Sequence, residues 1–368
     1  MHHQIKNYYN KESLTKKGMI MKIEELLKIS VEKHASDLHI LPHLPPLLRI
    51  DGELVVIPNI DPLTAALSKQ LIYTAMTIDQ QEVFESKLVL DIAVSYSGIG
   101  NFRVSILHQM HGISAVFRVI PENVPSFESL DLPAVFKRLL VLSSGLILIT
   151  GPTGSGKSTT LAAMVEHINT TRASHIITIE DPIEFILKSN KSAINQLQVG
   201  RDTPDIATAL RASLRHDPDV ILLGELRDLE TIRLALIAAE TGHLVLTTLH
   251  ASSAPLAISR IVDMFPSSEK IRVRNVLAET VQGVICQTLV KRITEGRVAA
   301  FEIMLANPAI RHLIRQDMVT HMESTMQTSG DIGMCTMEQY LQKLAAKRMI
   351  TTVEARNVTV NWGRVKNE

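Results

Sequence analysis

The residues best suited to chemistry lie in a glycine-rich segment that ends in a lysine and a serine. Residues 151–158 read GPTGSGKS and fit the pattern G-x-x-x-x-G-K-[ST]. The glycines of such a loop let backbone N–H groups surround phosphate oxygens, and the lysine neutralises the β- and γ-phosphates. Lys157 is therefore predicted to be catalytic, and Ser158 is predicted to be a ligand of Mg²⁺. The predicted nucleotide-binding residues of this stretch are Gly151, Pro152, Thr153, Gly154, Ser155, Gly156, Lys157, Ser158 and Thr159.

The flanking sequence supports this interpretation. An apolar run of strand length, residues 146–150, precedes the segment, and a helical pattern follows it. The phosphates would then lie at the positive N-terminus of a helix. A glycine-rich turn that matched by accident would lack this context, so the sequence predicts ATP and Mg²⁺ as cofactors and ATP hydrolysis as the reaction.

A second apolar run ends in an acid. Residues 220–225 read VILLGE, and Gly224 occupies the position where the commonest Walker B pattern has an aspartate. Glu225 is therefore predicted to act on Mg²⁺ or on its water shell. Taken alone, a glutamate that closes a surface strand is an equally good interpretation, but the preceding phosphate-binding loop favours the metal-side role.

Two further polar clusters adjoin apolar runs, in residues 180–184 and 240–250. Strand ends in an open parallel sheet point to the ligand crevice. A carboxylate there can orient the attacking water, and a histidine can contact the γ-phosphate. Glu184 is predicted to be catalytic, and His243 and His250 are predicted to bind nucleotide, although a structural role is the more common one for either histidine alone.

The pattern of elements divides the chain into two domains. Residues 21–120 combine a short amphipathic helix with hairpin patterns, including the turn dipeptide at residues 51–52 and a second hairpin around residues 102–119, which predicts an α+β domain. Residues 121–133 contain three prolines and are predicted to be a linker. Residues 134–368 alternate buried strands with helices, which is typical of a parallel sheet covered on both faces, and amphipathic helices dominate their last part.

The start of the chain and the overall composition exclude several classes. Residues 1–20 are polar and without an apolar signal core, so we expect a disordered extension, with Met21 an alternative start. Lys plus Arg and Asp plus Glu each number 38, which argues against a general nucleic-acid binder. The two cysteines form no CxxC pair that would hold zinc, and no apolar run is long enough for a spanning helix. We therefore expect a cytoplasmic protein.

Four motifs in this order resemble those of the secretion and pilus ATPase family. Besides the phosphate-binding loop they are TIEDPIEF at residues 178–185, ILLGELRD at residues 221–228 and ETGHLVLTTLH at residues 240–250, and the likeness covers residues 21–357. The resemblance implies an N-terminal PAS-like domain followed by a RecA-like P-loop domain with a helical C-terminal region. It also implies a homohexameric ring with nucleotide at the subunit boundaries.

The resemblance also implies roles for individual residues. Glu184 and Glu225 would polarise water and organise the metal, and Glu184 is the preferred base because Glu225 follows the strand where a metal-side acid belongs. Arg103 and Arg118 would reach nucleotide bound by a neighbouring subunit; solvated arginines at a strand edge are nearly as good an interpretation. One departure is Leu197, where the family pattern predicts an arginine.

A further segment favours the retraction type within the family. Residues 309–315 read AIRHLIR and look like the AIRNLIR segment of retraction ATPases, whose apolar face and arginines would form a docking surface or, alternatively, pack as core. The resemblance implies an ATPase that powers type IV pilus retraction and twitching motility. It would act with an inner-membrane platform protein, peripherally at the cytoplasmic face and without nucleic acid. The alternatives are a type IVB or type II-like secretion ATPase and a nucleotide-switched scaffold of the pilus machine.

Overall fold

The chain divides into two compact units, Met1–Glu122 and Asn123–Glu368. The computed structural model describes residues 22–50, 52–120, 124–294 and 296–366. The predicted polar extension, Met21, Asp51 of the predicted tight turn and residues 121–123 of the predicted linker lie outside the described residues.

The first unit is built on an antiparallel sheet. Its described residues form six strands in the order β3-β2-β1-β6-β5-β4. Alternation along β5 buries Phe102, Val104 and Ile106 and leaves Ser105 exposed, so that one face of the strand meets the core. The elements are α1 (Ile23–Glu32), β1 (Asp37–Ile40), β2 (Leu47–Ile50), β3 (Glu53–Val56), α2 (Ala65–Tyr73), α3 (Ile78–Lys87), β4 (Val89–Tyr96), β5 (Gly100–Gln109) and β6 (Gly112–Ile120).

The second unit is an α/β fold with a mainly parallel sheet. Its described residues form seven strands in the order β13-β12-β7-β11-β10-β8-β9, and β13 runs antiparallel at one edge. The elements up to the last strand are α4 (Ala134–Leu140), β7 (Gly145–Thr150), α5 (Lys157–Thr171), β8 (His175–Glu180), β9 (Ala193–Gln198), α6 (Ile206–Ser213), β10 (Val220–Leu223), α7 (Leu229–Glu240), β11 (Leu244–Leu249), α8 (Ala254–Asp263), α9 (Lys270–Thr280), β12 (Val281–Lys291) and β13 (Arg297–Leu305). The remaining elements are α10 (Pro308–Arg315), a 3₁₀ turn (Val319–His321), α11 (Met322–Thr328), a second 3₁₀ turn (Gly330–Ile332), α12 (Met337–Ala346) and α13 (Thr352–Lys366).

The continuous apolar runs of the central strands follow from burial on both faces. In β7, Leu146 and Leu148 pack into the cluster that includes residues of helices α6 to α9, whereas Ile147 and Ile149 pack into the cluster formed with α4 and α5. Because neither face meets water, no polar alternation is needed. The apolar runs at residues 146–150 and 220–223 form β7 and β10, and those that adjoin the polar clusters at residues 180–184 and 240–250 form β8 and β11. Helices dominate the described residues after about Pro266, as predicted, but β12 and β13 form a long antiparallel pair there that the sequence did not predict.

Most of the predicted linker is packed rather than extended. Phe127 is buried, and its ring lies 4.9 Å from the ring of His167 on α5, measured between centroids. Val124, Leu130 and Leu132 pack against the same core cluster. The segment from Val124 onward is therefore an integral part of the second unit.

Candidate nucleotide site

The glycine-rich segment forms the connection between β7 and α5. β7 ends at Thr150, and α5 begins at Lys157. Gly151 has φ +137°, and a Cβ there would lie 2.2 Å from the carbonyl oxygen of Gln287, so no other residue fits this position. Gly156 caps the helix with φ +87°. The loop thus brings its backbone to a helix N-terminus, the arrangement that binds phosphate.

Three polar side chains follow the last glycine of this loop. Lys157 Nζ donates hydrogen bonds to the carbonyl oxygens of Gly151, at 3.0 Å, and Pro152, at 2.9 Å. Ser158 and Thr159 are half-buried in the first helical turn. These three residues therefore stand at the mouth of the loop, where the sequence places nucleotide and metal contacts.

The electrostatic surroundings of Lys157 connect the loop to both predicted glutamates. Burial lowers the pKa of Lys157 from its ordinary value, and the charge of Glu225, followed by Cys286 and Glu184, opposes this shift. The two carboxylates therefore lie within electrostatic reach of the ammonium group. The structure brings Lys157, Glu184 and Glu225 to one region, as the sequence predicts.

Glu225 is the centre of a polar chain that crosses three strand ends. Its Oε1 lies 2.9 Å from His250 Nε2, and its Oε2 accepts a hydrogen bond of 2.7 Å from Arg227 Nε. Arg227 Nη1 in turn lies 3.4 Å from Asp181 Oδ2. These residues follow β8, β10 and β11, which are neighbours in the sheet. The carboxyl edge of the sheet therefore holds a connected charged cluster beside the loop.

The two glutamates of the 180–184 cluster differ in exposure. The Glu180 carboxylate accepts hydrogen bonds from Thr178 Oγ1, at 2.6 Å, and from Gln196 Nε2, at 3.1 Å, and burial raises the pKa of Glu180. Glu184 is exposed, and its backbone N–H partly offsets the effect of burial on the pKa of Glu180. Glu180 therefore anchors this loop internally, while Glu184 presents its carboxylate to solvent.

His243 is not part of this cluster, and a contact of His243 with nucleotide stays a prediction. It precedes β11, and its backbone carbonyl accepts a hydrogen bond from Gly145 N at the start of β7. Its ring Nδ1 lies 2.9 Å from the carbonyl oxygen of Ala238. His243 thus lies at the amino end of the parallel strands, whereas the loop and His250 lie at the carboxyl end.

Arg103 and Arg118 lie opposite each other on β5 and β6 of the first unit. Arg118 Nε donates to Asp37 Oδ1 at 2.8 Å, and Arg49 Nε lies 3.9 Å from Asp37 Oδ2. Asp37 is buried, so its carboxylate is held by arginines from the strands on either side of β1. The Arg118 guanidinium is therefore oriented by the Asp37 carboxylate, which it shares with Arg49. A contact of either predicted arginine with nucleotide stays a prediction.

The AIRHLIR segment forms α10 and is mostly a packing element. Ile310 and Ile314 are fully buried, and Leu313 is half-buried against the same core. Arg311 donates to the carbonyl oxygen of Glu279 at 2.7 Å, near the C-terminus of α9. The predicted apolar docking face is therefore core, and Arg315 is the arginine of this segment that remains exposed.

Sequence reasoning missed the contributions of three residues. Asp181 and Arg227 lie within motifs that the sequence analysis identified. Arg227 follows Glu225 by two residues, and this spacing was the local pattern that could have indicated their ion pair. Gln287 is buried on β12 beside the loop, with no local pattern to mark it. At the family departure, Leu197 packs against the core instead of providing a charge.

The donor set beside the loop is suited to Mg²⁺. The described residues contain no group of three or more His, Cys, Asp or Glu side chains that could hold a metal by itself. Magnesium in nucleotide sites takes one or two protein oxygens and completes its shell with phosphates and water. The Ser158 hydroxyl and the Glu225 carboxylate are hard oxygen donors of this kind, so the residues present fit the ion.

Comparison with known proteins decides the family. Residues 13–295 match the family model for the T2SSE, type II/IV secretion system protein. The chain belongs to this family. The ATPase resemblance predicted from the four motifs is thereby confirmed, together with the α/β fold.

Individual family members are similar over nearly the whole chain. The type IV pilus retractation ATPase PilT of Pseudomonas aeruginosa is 52% identical over 336 residues, 91% of this chain and 97% of that protein. The crystal structure of the pilus retraction motor PilT with bound ADP has a TM-score of 0.87 at 44% identity and covers 91% of this chain and 96% of its own. The Legionella pneumophila ATPase DotB has a TM-score of 0.78 at 26% identity, covering 92% and 95%.

Of the helices in the described part of the chain, none combines the length and apolar character required to cross a bilayer.

Proposed function

We propose that this chain is the ATPase that powers type IV pilus retraction and twitching motility. The observation that carries the proposal is the charged cluster of Glu225, Arg227 and His250 at the carboxyl edge beside the Lys157 loop. Enzymes that catalyse phosphoryl transfer combine a loop that binds phosphates with carboxylates that orient water. The retraction role rests on the likeness to PilT at 52% identity.

In the proposed mechanism each residue has a distinct task. The loop N–H groups and Lys157 bind the phosphates and neutralise the charge that develops during transfer. Mg²⁺, held by Ser158 and Glu225, would supply Lewis acidity and template the phosphate oxygens. Both oxygens of Glu225 have partners, which suits a residue that holds geometry, whereas the exposed Glu184 suits acceptance of a proton from the attacking water.

The assembly is part of the same proposal. The first unit, with its helices and antiparallel sheet, is proposed to be the PAS-like domain, and the second the RecA-like domain. Six copies would form a ring at the cytoplasmic face of the inner membrane, bound peripherally to the platform protein. Arg118, already oriented by Asp37, and Arg103 would contact nucleotide held by a neighbour. Nucleic acid has no role in this proposal.

The test uses the exposed arginine of α10, because it separates pilus retraction from ATP hydrolysis. Arg315→Ala should leave turnover within about twofold, since surface substitutions rarely change stability, and should abolish twitching if α10 couples the ring to the pilus. ATP turnover of the purified variant and twitching of a strain that carries it are the two measurements.

A matched control is Arg356→Ala, which removes an exposed arginine from α13 of the same unit and should affect neither measurement. Normal twitching in the folded Arg315 variant would contradict the coupling role. A deletion strain with unaltered pilus retraction would point instead to a motor of another secretion apparatus, such as the type IVB class.

A further inference from the structure

Strand β12 extends beyond the end of the strand that carries the phosphate-binding loop. β7 ends at Thr150, which pairs with Cys286, while β12 continues to Lys291. Gln287 is the first residue of β12 past this last pair. On the side of β7 it therefore lies beside the loop, while on its other side it pairs with Phe301 of β13.

Gln287 contacts both the loop and the helix that follows it. Its side-chain Nε2 donates to the carbonyl oxygen of Ser155 at 2.7 Å, and its Oε1 accepts from Thr160 Oγ1 at 2.8 Å. Its own backbone carbonyl occupies the space that a side chain at Gly151 would need. Gln287 is 2% exposed, so these contacts are shielded from water.

The amide is chemically matched to this place. It offers one donor to a carbonyl oxygen and one acceptor to a hydroxyl, and a buried polar group left without its partner costs stability. A carboxylate of the same shape would face the Ser155 oxygen with a negative charge. A thioether of similar length would leave both partner groups unpaired.

The contact with Ser155 also fixes a donor of the loop. In a planar trans peptide the C=O and the following N–H point in opposite directions. When Gln287 holds the Ser155 carbonyl toward β12, the N–H of Gly156 is turned away from β12. That N–H belongs to the glycine that precedes Lys157, where a phosphate-binding loop requires inward-facing donors.

We propose that Gln287 is a positioning residue for nucleotide binding, which orients the Ser155–Gly156 peptide so that Gly156 N–H faces the phosphates. The inference rests on the proposed ATP site and adds to it a residue from a strand distant in sequence. Gln287 acts through the loop and does not itself contact the reacting atoms.

The test compares the same substitution at two glutamines of β12. Gln287→Met should weaken binding of a fluorescent ADP analogue and raise KM for ATP about tenfold, the consequence of losing a buried hydrogen-bonded pair, with a smaller change in kcat. Gln282→Met is the control: Gln282 is half-buried on the same strand and accepts a 3.1 Å hydrogen bond from Arg311 Nη2, far from the loop. It should leave nucleotide affinity within about twofold.

Thr160→Val keeps the inference testable if Gln287→Met fails to fold. It removes only the hydroxyl that anchors the amide, and we expect affinity to fall about two- to threefold. Unchanged nucleotide affinity in Gln287→Met would overturn the inference; if that variant does not fold, unchanged affinity in Thr160→Val would do so. An equal loss of nucleotide affinity in Gln282→Met would also overturn it, because it would indicate a general loosening of β12. If the unmodified protein itself bound no ADP, the proposed ATPase site would fail instead.

Discussion

The amino and carboxyl edges of the parallel sheet both carry acidic residues and histidines, but these side chains have different partners at the two edges. At the amino edge, Asp219 Oδ2 accepts a 2.7 Å hydrogen bond from the backbone N–H of His175, and His243 is bonded to the carbonyl of Ala238. At the carboxyl edge, the Glu225 carboxylate is paired with two other side chains. Asp219 and His243 at the amino edge bond to nearby backbone groups, whereas Glu225, Arg227 and His250 at the carboxyl edge bond to one another.

Strand direction explains the difference. In a parallel sheet the chain leaves every strand at the same edge and enters a helix there, so helix N-termini and their positive dipole ends gather at that edge. Here α5 begins directly after the loop, and α7 begins shortly after Glu225, with Asp228 as its cap. Anionic ligands, and the carboxylates that organise metal and water around them, are therefore expected at the carboxyl edge.

The largest effect that would test this contrast is expected at Lys157. Lys157→Ala should abolish ATP hydrolysis, because it removes the lysine placed to neutralise charge on the transferred phosphate. Lys191→Ala, an exposed lysine in the connection before β9, should retain full turnover. Steady-state hydrolysis by both purified variants checks the prediction, and appreciable turnover by the Lys157 variant would refute the assigned site.

A loss of on the order of 10²-fold in turnover is expected for Glu184→Gln and for Glu225→Gln, the usual scale for a positioned base or metal organiser. Both variants should still bind ATP, because the loop is unchanged. Glu240→Gln is the matched control, since Glu240 is an exposed glutamate at the end of α7, the helix that leads to the amino edge of β11. Hydrolysis in single-turnover conditions, with nucleotide binding measured in parallel, distinguishes the two edges.

If one glutamate variant hydrolyses ATP at the normal rate, that residue is structural and the other is left as the base. If Glu240→Gln lost as much turnover as Glu184→Gln and Glu225→Gln, the proposed difference between the amino and carboxyl edges would be refuted.

The sequence predicted the parts of the fold whose signals are local. Gly151 and Lys157 stand at fixed spacing between an apolar run and a helix, and Glu225 directly follows its strand. Gln287 escaped prediction because its partners lie more than a hundred residues away, at 132 and 127 positions along the chain. Phe127 escaped because three prolines nearby suggested a linker, although its ring is buried.

His243 shows a different limit. It shares one motif with His250, but the motif contains the whole of β11, Leu244–Leu249, between the two histidines. At about 3.3 Å per residue the strand separates its two ends by roughly 20 Å. A motif therefore indicates which residues belong to a family pattern, and the element between them decides whether they share a site.

The smallest expected effect is the sharpest test, because it compares these two histidines directly. His250→Ala removes a partner of the Glu225 carboxylate at 2.9 Å, and we expect turnover to fall on the order of tenfold, as for loss of a hydrogen bond to a charged group. His243→Ala removes local bonds to Ala238 and Thr241, which should cost about 1 kcal/mol of stability and leave turnover per folded molecule within about twofold. Melting temperature and turnover, measured on both variants, separate the outcomes. Equal losses of turnover would mean that His243 acts on nucleotide after all, and since it lies at the far end of its own strand, it would have to act on nucleotide bound by another subunit.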